Sequence, residues 1–448
     1  MSLRSLLDRL GLGRPELRAW AMYDWAASSV QTTIMVAVFP IYFVKVAGAN
    51  IAESGATQRL ATINSIALVI IALVSPILGA ISDYRAAKKR FTAIFLSFGV
   101  VACCALYFVH SGDLELASWL FIAIMVGVAG SYVFYEALLP HIAGPGEIDR
   151  VSTAGYALGY VGGGVLLALN LAWIQMPGLF GLPSGEGLSE GEATLPARLA
   201  FLSVAVWWAL FSIPLFRGVP EPPARIEPDE RPGESPVRAA FGRLGETFRE
   251  LRGYRDAFLM LLAFLIYNDG IQTIIKMATA YGTEIGIGQS ALIGAILLVQ
   301  FVGIPCTFLF GTVAGRIGAK RSLFLGLLAY TGISILGYYM TNATHFYILA
   351  GLVGVVQGGT QALSRSLFAS MIPQHKSGEF FGFWSIFEKF AGIFGPLIFA
   401  GTIAATGSSR NAILSVIGFF AVGAALLALV DVQEGQRVAR KVEAEVSR

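Results

Sequence analysis

The stretch LGAISDYRAAKKR, Leu78 to Arg90, is echoed later in the chain by FGTVAGRIGAKRS, Phe310 to Ser322, with Gly79 against Gly311 and Lys88 against Lys320. Each copy closes one apolar run and leads into another. Two more echoes fall in the same order: YDW…QTT from Tyr23 against YND…QT from Tyr267, and ALLPH at Ala137 against ASMIPQ at Ala369. Of the 448 residues, 55% are hydrophobic and 14% charged, and the mean hydropathy is +0.68. A soluble protein carries about 25% charge. The apolar runs here are about 20 residues long, enough for a helix to cross about 30 Å of hydrocarbon. The chain therefore reads as an all-α polytopic membrane protein built from a repeat.

The runs place helices near 19–44, 59–82, 92–110, 116–139, 152–175 and 198–216, and again near 257–282, 289–314, 321–341, 345–371, 378–405 and 410–430. Twelve transmembrane helices thus form two pseudo-symmetric bundles of six, over 1–216 and 257–448. Residues 217–256 join them as a linker. Its first half is rich in proline, which favours an extended chain. Its second half spaces Phe241, Leu244, Phe248 and Leu251 as an amphipathic surface helix would. Arginine and lysine gather in the N-terminal tail, the linker, the C-terminal tail and alternate loops, which puts both termini in the cytoplasm. No small-residue cleavage site follows the first apolar run, so no removable signal is expected. Cys103, Cys104 and Cys306 show no ligand spacing and read as small apolar residues.

Parallel six-plus-six repeats are the architecture of major facilitator transporters, and GAISDYRAAKKR resembles their signature loop between the second and third helices. The resemblance implies a cytoplasmic latch formed by Gly79, Asp83, Lys88 and Arg90, with Arg150 as a partner. A carboxylate at Asp83 would also favour the positive end of the eleventh helix. The second copy has Gly315 where the acid would stand, so the latch role falls to Asp83 alone. WAMYDWAASSVQTTIMVAVFPIYF, YNDGIQTIIKMATAYG and QGGTQALSRSLFASMIPQHKSGEFFGFWSIFEKFAGIFGP are similar to the branch holding the autophagy-related vacuolar amino-acid effluxers and their bacterial relatives. That similarity covers essentially the whole chain. It implies a transporter, in a bacterial inner membrane, with amino-acid export as the best-known role of the branch.

Polar residues inside the apolar runs carry the site. Asp24, Ser28 and Gln31 share one helix face; so do Asp269, Gln272 and Lys276, beside Tyr267; so do Gln357, Gln361 and Arg365. Tyr132 and Glu136 add a fourth stripe, and Glu388 with Lys389 a fifth. Facing lipid, such groups are costly, so they face the bundle interior or one another. Two readings stand. In one, Asp269 pairs with Lys276 or Arg365, and Glu388 with Lys389 or Arg365, as buried ties. In the other, the first three stripes with Tyr267 line a substrate cavity. Arg365 would then clamp a carboxylate through its planar fork, and Asp24 or Asp269 would take an ammonium. Proton coupling falls to Asp24 and Glu136, which lack a cation on their own helices; Asp269, near Lys276, is expected to stay ionised. Tyr23, Trp25, Tyr132, Tyr135, Tyr267 and Trp384 either line the cavity or pack, packing being the default for aromatic rings.

No Walker loop, GxSxG elbow or paired histidines with metal spacing occur in the sequence, so no enzyme, metal or cofactor is expected, and no nucleic acid. The expected function is alternating-access, proton-coupled export of a small polar or zwitterionic metabolite such as an amino acid. The expected partners are that solute and the bilayer, and the chain is expected to act as a monomer driven by a proton gradient. Efflux of amphipathic compounds and a non-transporting membrane sensor are the alternatives.

Overall fold

The computed structural model describes residues 3–144, 146–223, 253–392 and 394–446; some side chains within these ranges, including that of Asp83, are outside the description. The amphipathic helix expected over 237–254 falls almost wholly outside the described residues. Among the described residues the elements are helices without strands. Twelve are long and apolar enough to cross a membrane. Spans 1 to 6 are Pro15–Ala47, Gln58–Gly79, Lys88–Phe108, Leu114–Ile142, Ile148–Gln175 and Glu190–Gly218. Spans 7 to 12 are Arg255–Ala278, Gly294–Ile317, Ala319–Tyr338, Ala343–Ala369, Gln374–Thr406 and Ser409–Leu429. The expected count holds, with edges displaced by a few residues.

Local chemistry sets several of those edges. Span 6 starts at a capping box, in which the Ser189 hydroxyl accepts from Glu192 N at 3.3 Å while the Glu192 carboxylate accepts from Ser189 N at 3.0 Å. Asn342 caps span 10 by accepting from His345 N at 2.9 Å. Span 1 is irregular: π-helical turns occupy Val30–Ala37 and Phe43–Ala47 on either side of Pro40. Proline has no N–H to give the ladder and crowds the preceding turn, and widened turns absorb that misfit.

Lipid tails are as apolar as leucine, so helices in a bilayer associate through close packing rather than hydrophobic exclusion. One close backbone approach joins the first six spans to the last six: the backbone of Gly79, ending span 2, lies against the backbone of Gly378, opening span 11. A methyl group on Gly79 would overlap the Gly378 carbonyl. Gly79→Ala is therefore expected to cost this contact about 1–3 kcal/mol. In a transport assay it should slow turnover about tenfold or more while the thermal stability of the purified protein barely moves; equal loss of both would mean that the contact serves folding alone.

Arg14 and the last described helix both lie on the face of this contact. The Arg14 guanidinium donates to Ile142 O at 2.6 Å and pairs with Glu147, in the link between spans 4 and 5. A terminal helix, Val432–Val446, lies across the ends of spans 7 and 10. Asp431 caps it, accepting from Gln433 N and Glu434 N at 3.0 and 3.1 Å. Asp256 in turn accepts from Asp431 N at 2.7 Å. Gln436 donates to the Ser370 hydroxyl at 3.1 Å, and Glu443 accepts from Gln374 N at 2.9 Å. The helix buries Ala439 and leaves Arg437 and Lys441 in solvent, as an amphipathic surface helix should. We refer to this side of the molecule as the terminal face.

Candidate functional site

Arg365 sits within QGGTQALSRS, an unbroken helical stretch of span 10, and its side chain crosses to the first six spans, where it is 1% exposed. Its two shortest bonds go to span 5: Nε donates to the Ser152 hydroxyl at 2.9 Å and Nη2 to Ser152 O at 3.0 Å. Both terminal nitrogens also reach Asp24 Oδ2 of span 1, at 3.4 and 3.3 Å. Glu136 of span 4 stands 3.7 Å from Nη1, too far for a hydrogen bond. The Tyr135 hydroxyl donates to the same Asp24 oxygen at 2.8 Å. Rings of Trp20 and Tyr156 approach the guanidinium with centroids at 4.9 and 4.5 Å, a favourable setting for a cation out of water. Gly155 makes the room, since a Cβ there would overlap the Asp24 carboxylate.

Other bonds between the two sets of spans cluster near the same end. Ser152 donates to Ala362 O at 2.7 Å, Ser366 donates to Asp149 at 2.6 Å, and His141 Nε2 lies 3.0 Å from the Ser377 hydroxyl. Together with the Gly79–Gly378 contact they close the terminal face. Farther from it, Gln31 and Lys276 are exposed, and Gln272, Gln357 and Gln361 are half-buried. Polar side chains at that depth are costly against acyl chains, so a place inside the bundle suits them better than lipid.

Asp269 of span 7 sits apart from that cluster. Its carboxylate accepts three backbone N–H groups where span 11 breaks: Gly392 and Gly395 at 2.7 and 2.9 Å on Oδ1, and Phe394 at 3.1 Å on Oδ2. The inner segment of that span, Ser377–Phe390, ends there, and the outer segment, Phe394–Thr406, begins. Gly392 carries the turn at φ +94°, a region that side chains disfavour. Lys276 Nζ approaches Gly392 O at 3.4 Å, and Glu388 pairs with Lys389 at 3.0 Å. Nearby, Gln361 donates to Asn268 Oδ1 at 2.7 Å, and the Tyr267 and Ser364 hydroxyls bond.

The structure thus brings Asp24, Glu136 and Arg365 into one cluster, and Asp269, Gln272 and Lys276 into another at the break. Gln31 and Gln357 touch neither. Of the expected latch residues, Gly79 makes the contact described, Lys88 is buried, Arg90 is exposed, and Arg150 donates to Gly146 O at 3.2 Å; the Asp83 side chain lies outside the described residues. Asp149, Ser152, His141 and Ser366 were not singled out from the sequence. A signal existed for two of them: Asp149, Ser152 and Tyr156 recur at i, i+3 and i+7, the same spacing as the other stripes.

A twelve-span bundle with a charged bolt between its two sets of helices is a transporter of the major facilitator type. The solved structures it is similar to include the proton:xylose symporter XylE, with a TM-score of 0.65 over 93% of this chain and 95% of that one at 13% identity. FucP in its outward conformation has a TM-score of 0.69 over 93% and 100% at 12% identity. The family model described as vacuole effluxer Atg22 like matches residues 56–440, and the chain belongs to that family. An uncharacterized MFS-type transporter of Bacillus subtilis, YxiO, is 35% identical over 424 residues, 94% of this chain and 96% of that one. Autophagy-related protein 22 of Yarrowia lipolytica is 27% identical over 320 residues, 66% of this chain but only 52% of that longer protein.

Proposed function

We propose that this transporter works by alternating access and exports a small polar or zwitterionic metabolite, an amino acid being the leading class, in exchange for protons. The observation that carries the reading is the buried Asp24–Arg365–Glu136 cluster, which bolts one face shut beneath exposed Gln31 and Lys276. Moving the bolt must precede opening of the terminal face, which the distribution of arginine and lysine assigns to the cytoplasm. Glu136 is the acid we assign to the proton. It is buried and stops short of a hydrogen bond with Arg365, whereas Asp24 accepts from Tyr135 and both guanidinium nitrogens. Lys276, which is exposed, and the half-buried Glu388–Lys389 pair offer both signs to a zwitterion.

Two experiments test this. Ligand binding to the folded state raises its apparent stability, so a thermal-shift screen should single out amino acids over sugars and lipophilic cations. In proteoliposomes, flux of the solute so selected should depend on an imposed pH gradient, and Glu136→Gln should remove that dependence while counterflow persists. Gradient-driven flux unchanged in Glu136→Gln would sink the assignment.

A further inference from the structure

Arg365 is held by two kinds of partner, and they answer to pH differently. Asp24 and Glu136 attract it only while ionised. Ser152 is neutral, yet it supplies the two shortest bonds, through its hydroxyl at 2.9 Å and its carbonyl at 3.0 Å. The same hydroxyl donates to Ala362 O at 2.7 Å, one turn earlier on the helix that carries Arg365. One residue of span 5 thus makes three hydrogen bonds to span 10, and it is wholly buried. Around it the titratable and charged groups are Asp24 of span 1, Tyr132, Tyr135 and Glu136 of span 4, Asp149 and Tyr156 of span 5, the former bonded by Ser366 beside Arg365, and Glu388 with Lys389 of span 11, the last two through their electrostatic reach to Glu136.

We propose that Ser152 is the positioning residue of the gate: a pH-independent seat that keeps Arg365 docked when the acids beside it are protonated or occupied. This rests on the alternating-access reading and adds a division of labour to it. The seat sets the baseline closure of the terminal face, and the carboxylates add a part that is present when they are ionised and lost as they take protons. Gly155 belongs to the seat by leaving the space that Asp24 occupies.

The test reads how often the terminal face opens. Ser377, buried beside His141 on that face, is replaced by cysteine in a chain whose Cys103, Cys104 and Cys306 are changed to alanine. Its reaction with a hydrophilic maleimide presented to the terminal face is then timed across a range of pH. Ser152→Ala should speed labelling about tenfold, the effect of one hydrogen bond to a charged group, and by the same factor at every pH. Ser152→Thr, which keeps the hydroxyl, should return the parent rate. Asp24→Asn should instead flatten the pH dependence. Labelling unchanged in Ser152→Ala, accelerated only at high pH, or equally fast in Ser152→Thr would overturn the seat. If Arg365→Ala also left labelling unchanged, the alternating-access reading would fall, and the seat with it.

Discussion

Transport by Arg365→Ala is expected to fall at least about a hundredfold. Removing the guanidinium leaves Asp24 and Glu136 buried without their cation, and breaking one side of a buried ion pair typically costs about 3–5 kcal/mol. The loss lands on the state drawn here, with the terminal face closed, because each of those acceptors belongs to the first six spans while Arg365 belongs to the last six. The defect should therefore show as a shift between conformations more than as unfolding. Counterflow of the solute chosen by the thermal-shift screen measures the first, and thermal unfolding in detergent measures the second. Arg365→Lys should rescue poorly, since a point-like ammonium cannot serve Ser152 and Asp24 at once as a planar fork does. Full activity in Arg365→Lys would show that charge alone matters at this position.

Asp269→Ala should be the most destabilising single change in the last six spans. It strands three backbone N–H groups at the break in span 11, and each unsatisfied buried donor costs about 1–3 kcal/mol. A clear drop in thermal stability is expected together with loss of transport. Asp269→Asn, which keeps one carbonyl oxygen, should fall between the parent and alanine variants. Alanine at parent stability would mean that water or another group satisfies the break. The same experiment separates the two roles open to Asp269 from its sequence. A residue that only binds a solute's ammonium would lose affinity without losing stability.

The spans were legible because lipid imposes a length and an oiliness that composition records directly. The stripe on span 10 marked Arg365 for the same reason, as charge inside an apolar run needs a partner. What the sequence hid was which partner. Stripe spacing says that a residue faces inward, but the choice among Asp24, Glu136, Asp269 and Glu388 depends on how helices from distant parts of the chain meet. Ser152 was missed because serine is ordinary in an apolar helix, where its hydroxyl can bond its own backbone. Its role comes from Arg365 arriving beside it. The break in span 11 was hidden too, because the carboxylate that makes it a fixed feature belongs to Asp269 of span 7.

That break alters how the machine can be sequenced in time. A continuous span moves as one rod, so tipping its outer end levers its inner end. Span 11 is jointed instead, with its outer segment pinned by a side chain rather than by its own ladder of backbone bonds. The inner end can stay pressed on Gly79 while the outer end pivots at the Gly392 joint. Under the alternating-access proposal, that would let one door shut before the other gives way, as in an airlock.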